Sequence, residues 1–128
     1  MDSETEIMIQ EKVKEGLTYF NNGDFFEAHE VLEYAWRLDN SNRKSLIQGL
    51  IQFSVGCHHA KRKNWLGAET VLLRARKRLV PFQDSLNFVD VTKVLIQLDL
   101  LIEIILQIRN LPNEQIELII DPKIYFIK

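Results

Sequence analysis

One cysteine, three prolines and five glycines in 128 residues leave little room for several fold classes. The lone Cys57 rules out an internal disulfide and any multi-cysteine zinc or iron–sulfur site, which fits a reducing compartment. Scarce glycine and proline disfavour a loop-rich all-β fold. Charge of one sign is also missing: 16 Lys and Arg against 18 Asp and Glu give a formal charge of -2, so no global basic excess announces a nucleic-acid or membrane partner. The most apolar run, 94–108, is interrupted by Asp99 and Glu103 and falls short of the ~20 apolar residues of a membrane span. The acidic start, Asp2-Ser3-Glu4-Thr5-Glu6, lacks the cationic opening of a signal or transit peptide. No Gly-rich phosphate loop, nucleophile elbow or CxxC occurs. The expectation is a single cytoplasmic domain over 1–128; rich Ile, Lys and Asn usage fits an AT-rich genome and keeps a plastid stroma as the alternative.

What is present is helical periodicity. Ser3 and Glu6 have capping-box spacing, and Ile9, Val13, Gly16, Leu17 and Phe20 follow on one face, predicting a first helix over about 4–20. Asn21-Asn22-Gly23 stops it. Asp24 and Glu27 repeat the cap spacing before a second helix that ends near Leu38, and 39–42 is a polar loop. A third helix, about 43–62, is apolar nearly all round and so central; a fourth, about 65–79, stops at Pro81. A fifth runs from after Asn87 to Asn110, spanning 88–110, and 111–128 reads as an extended or short helical arm. The fold expected is all-α, a compact bundle of about five helices built on two helix-turn-helix hairpins.

Sliding the chain by 40 residues lays Ala28, Val31, Leu32 and Ala35 on Ala68, Val71, Leu72 and Ala75, and Gly16 on Gly56. The offset differs from the 34 residues of a tetratricopeptide repeat, and two copies make a bundle rather than a superhelical array.

The polar exceptions to this apolar pattern carry the candidate chemistry. His29 and Glu33, four apart, project from one face of the second helix, with Trp36 on the same side. Gln48, Gln52 and His59, at spacings of four and seven, draw a polar seam along the third. If the two faces meet, His29, Glu33, Gln52 and His59 surround one point. The arrangement then serves as a structural hydrogen-bond network, or as a ligand pocket that His29, Glu33 and His59 equip for a divalent metal through nitrogen and carboxylate oxygen. His58, about 100° round the helix from His59, belongs to the surface or a cap, and Cys57 has no base at a compatible spacing.

The run Phe20-Asn21…Gly23…Phe26-Glu27-Ala28-His29-Glu30…Glu33…Trp36, followed by Gln48-Gly49-Leu50-Ile51-Gln52…His59…Asn64…Gly67-Ala68…Leu72-Leu73, resembles the signature of the small bacterial and plastid family catalogued as domain of unknown function 309, over about 16–79. The resemblance implies an all-helical fold with an unassigned activity and points by position to Glu27, His29, Glu30, Glu33, Gln48, Gln52 and His59. Lys63 departs from it, standing where the family usually has Gly before Asn64. The leading function is a binding or interaction module with this pocket between helices two and three. The alternative is a metal-dependent, hydrolase-like enzyme using His29, Glu30, Glu33 and His59.

A separate candidate is electrostatic. Lys61, Arg62, Lys63, Arg74, Arg76, Lys77 and Arg78 face only Glu69 within 61–78, a local +6 that leaves -8 elsewhere. The segment can dock RNA or an acidic protein, although Trp65 is its only aromatic and the commoner role of such a face is solubility. Helix five, with Leu98, Leu101, Ile102, Ile105 and Leu106, carries more apolar surface than four helices easily cover, and a homodimer through it is expected.

Overall fold

A computed structural model describes residues 2–84 and 88–127. It is all-α: α1 (Ser3–Asn21), α2 (Phe25–Leu38), α3 (Arg43–Lys61), α4 (Trp65–Leu79) and α5 (Val91–Ile108), each packed on the next, with no strand among the described residues. Short 3-10 turns, Val80–Phe82 and Asn113–Gln115, flank α5, and an extended tail follows. No helix among the described residues is long and apolar enough to cross a membrane.

The 40-residue repeat is visible in space. Gly16 of α1 lies against Leu32 of α2, where an added Cβ would sit 2.8 Å from the leucine Cγ; Gly56 of α3 meets Leu72 of α4 at 2.6 Å by the same measure. Both hairpins turn through the same bonds. Gly23 N–H donates to Phe20 O and Asp24 N–H to Tyr19 O, as Lys63 N–H donates to Ala60 O and Asn64 N–H to His59 O. Both turns place their third residue in the left-handed region, Gly23 at φ 83° and Lys63 at φ 61°. Alanines 28, 35, 68 and 75 are fully buried, which lets the paired helices approach closely.

One ion network joins the hairpins. Arg43, opening α3, reaches Glu6 of α1 with both terminal nitrogens at 2.6 Å and Asp39 at the end of α2 with Nε at 2.9 Å. Asp39 is 1% exposed and also accepts from Ser41 N–H and Oγ. Glu6 is therefore no capping-box partner: Asp2 caps α1 by accepting from Thr5 N–H, while Arg43 and Gln10 hold the Glu6 carboxyl down at about 2. Burial pushes Asp39 up, but its bonds to Ser41 and Arg43 outweigh that and keep it below the usual carboxylate range.

The fifth helix begins later than its apolar pattern predicts. Asp90 caps Lys93 N–H, Val89 pairs with Phe126 of the tail, and Asn87 lies outside the described residues. Leu98, Leu101 and Ile105 are buried within the chain, Ile102 is half-buried and Leu106 is exposed.

Candidate functional site

Along α2 the spacing of Phe26, His29, Glu33 and Trp36 puts all four on one side. His29 Nδ1 lies 2.6 Å from Phe26 O, and because a carbonyl only accepts, Nδ1 carries the proton and Nε2 presents its lone pair. That lone pair is 3.9 Å from Glu33 Oε1, and Arg37 holds the other Glu33 oxygen at 3.5 Å. Glu27 and Glu30 are exposed to solvent.

α3 lies between α2 and α4. Lys44 stacks its ammonium on Trp36, 4.2 Å from the ring centroid, and His58 packs on Phe26 at 5.5 Å, while Gly49 and Gly56 take Leu79 and Leu72 of α4. Between these two lines of contact runs the seam of Gln48, Gln52 and His59, all half-buried. Gln52 Oε1 is enclosed and accepts no hydrogen bond, alone among the buried side-chain polar atoms of the described residues.

His59 has a settled partner. Asn64 Oδ1 caps α4 by accepting from Gly67 N–H, which turns the Asn64 amide nitrogen toward His59 Nδ1 at 3.1 Å. Nδ1 must then accept, so neutral His59 keeps its proton on Nε2. A metal at Nε2 would require the other tautomer, which sets N–H against N–H at Asn64. His59 is thus built into the α3–α4 turn. Among the described residues no group of three His, Cys, Asp or Glu is placed to hold a metal ion. The expected metal set of His29, Glu33 and His59 is not assembled: the first two meet, and the third turns to Asn64.

His58 stands closer to the action than its helical angle implies. It packs between Phe26 and His59, and its pKa is lowered by desolvation first, then by Arg62, His59 and His29, with Glu27 opposing. Phe26, 4.9 Å from His29 by ring centroids, links the two imidazoles. The signal was available in Phe26, an exposed aromatic beside a histidine on the next helix. Burial pushes the Cys57 thiol far up, leaving an inert core residue.

The basic segment divides. Lys61 donates to Gly23 O, Lys63 to Asn113 O and Arg76 to Asp99, so these cations serve the fold. Arg62 is exposed at the α3–α4 turn, whereas Arg74, Lys77 and Arg78 are exposed near the far end of α4, about 20 Å along at 1.5 Å per residue. Arg78 joins Lys44 instead, in a cleft that also takes in Trp36 and Ser45. Trp65 is buried, with its indole N–H donating to Asn113 Oδ1.

An "Uncharacterized protein" of Aquifex aeolicus (strain VF5) is 29% identical to the chain over 85 residues, covering 66% of this chain and 26% of that protein. "Uncharacterized protein YpuF" of Bacillus subtilis (strain 168) is 40% identical over 50 residues, covering 38% of this chain and 29% of its own length. The chain therefore spans under a third of either relative. No solved structure matches it. The family model described as Domain of unknown function (DUF309) matches residues 13–71, which take in the second half of α1, all of α2 and α3 with the Gln52 seam, and the first half of α4. Through that segment, a little under half of its length, the chain is similar to the DUF309 family.

Proposed function

We propose that the protein is a binding module in which the seam of Gln48, Gln52 and His59 along α3, between its contacts with α2 and α4, takes a ligand that donates a hydrogen bond. The observation that carries this is Gln52 Oε1, enclosed with no donor in a seam otherwise made of polar side chains. Leaving such an acceptor unmet costs about 1–3 kcal/mol, a penalty that an apolar residue of similar size would avoid. A ligand N–H or O–H removes it on binding. Lys44 on Trp36 stands at one end of the seam and the Phe26–His58 pair at the other.

The metal-dependent hydrolase reading, with His29, Glu30, Glu33 and His59, has less support. His29 offers a free Nε2 beside Glu33, but Glu30 is exposed to solvent and His59 is committed to Asn64. The division of the basic segment and the burial of Trp65 argue likewise against RNA docking there.

The test is a nuclear magnetic resonance titration of ¹⁵N-labelled protein with acetamide, methylammonium and imidazole. Saturable shifts of the Gln52 side-chain amide and the Trp36 indole are expected, and the Trp36 shift is expected to vanish in Gln52→Leu. Shifts that persist in Gln52→Leu, or none at all, would overturn the reading. Zinc added to the same sample is expected to leave melting unchanged.

A further inference from the structure

The tail is held as a peptide is held by a receptor. Two side-chain amides from helices far apart in sequence clasp consecutive residues by main-chain atoms. Gln97 of α5 accepts from Lys123 N–H and donates to Lys123 O, both at 2.8 Å. Asn21 at the end of α1 accepts from Ile124 N–H and donates to Ile124 O, again both at 2.8 Å. In an extended chain successive residues turn their N–H and C=O to opposite sides, so one amide on each wall satisfies both. Ile124 is 1% exposed and supplies the anchor. Lys123 Nζ donates to the Asn21 carbonyl at the helix end, and Phe126 stacks on Phe88 at 6.0 Å.

This seat is read through backbone and one aliphatic side chain, and the segment leading to it is held by side chains rather than by main-chain hydrogen bonds. Asn113 is fixed by Lys63 and Trp65, Ile116 is buried, and Leu118 and Ile120 rest half-buried on the core, but residues 117–122 make no main-chain hydrogen bond among the described residues, and Ile119 is 84% exposed. Two clefts that share Gln97 as a wall remain open along the seam between α5 and the tail. We propose that the α1–α5 groove is a docking site for an extended, isoleucine-anchored segment, with 121–127 as its intramolecular occupant and the same segment of a second copy of this chain as its occupant in trans. The exchange forms no contact that the single chain lacks, and 117–122 is the hinge. Because tethering gives the resident tail an effective concentration on the order of millimolar, the intramolecular form dominates in dilute solution.

Complementation tests this on the full chain. Asn21→Ala spoils the groove and leaves the tail intact; Ile124→Asp spoils the tail and leaves the groove intact. Each alone is expected to sediment as a monomer, and an equimolar mixture as a 1:1 complex in which the tail of the first fills the groove of the second. Adding Gln97→Ala to the Ile124→Asp chain should weaken the complex about tenfold, the size of losing hydrogen bonds to the main chain. Should Ile124→Asp lose its helical circular dichroism, Ile124→Ala takes its place. Two folded variants that stay monomeric when mixed would overturn the proposal, as would a complex indifferent to Gln97→Ala, which would belong to another surface.

Discussion

Hairpins α1–α2 and α3–α4 share a backbone and differ in chemistry. Their turns use the same hydrogen bonds at an offset of 40, and each closes a glycine on a leucine. At matching places, however, Tyr19 and Asp24 of the first become His59 and Asn64 of the second. Asp24 makes no side-chain cap, while Asn64 caps Gly67 and fixes the His59 tautomer. The first turn has Gly23 in the left-handed conformation, the second has Lys63. The repeated scaffold thus leaves the α3 side free to carry polar groups, at the expense of a strained turn.

The largest effect is expected where the hairpins join. Arg43→Ala leaves Asp39 buried without its cation and should cost about 3 kcal/mol or more in urea unfolding, since a broken buried pair strands a charge. The same network sets an acid limit. Glu6 and Asp39 have folded pKa values below their unfolded ones, so their stabilisation is complete above about 4.5, the ordinary Glu value, and is lost as pH falls toward about 2. Melting followed from pH 6 down to about 2 should show that loss in the wild type and much less of it in Arg43→Ala.

Next come the glycine contacts. Gly56→Ala sets a Cβ 2.4 Å from Leu72 Cδ2, closer than the 2.8 Å nearest approach at Gly16, and should destabilise by about 2 kcal/mol, more than Gly16→Ala. Equal losses would erase the distinction between the hairpins. The smallest effect is at the turns: Lys63→Gly should stabilise by about 0.5 kcal/mol, because relief of the left-handed strain is offset in part by losing the bond to Asn113 O, whereas Gly23→Ala should destabilise.

Much of this was legible. Periodicity gave the five helices, and the 40-residue self-match gave the paired hairpins, because both are local properties of spacing. The His29–Glu33 contact followed from helical geometry alone. Asn64, five residues from His59, was within reach of the same reasoning, since a cap that accepts from N–H has its amide nitrogen to spare. The Glu6–Arg43 bond spans 37 residues, and the Asn21–Ile124 bonds span 103, so both depend on how helices are set against one another, which no periodicity encodes. The α3 spacing by itself does not name the partner of His59, which is the cap residue Asn64 in the following turn.

The stability of Gln52→Leu tests most directly whether Gln52 bears an unmet acceptor open to a ligand. Thermal and urea unfolding should show the variant more stable than the wild type by about 1–2 kcal/mol, because the leucine removes an unsatisfied buried oxygen without opening a cavity. A variant less stable than the wild type by a similar amount would mean that Gln52 is already satisfied in the free protein, and the seam would then be structural.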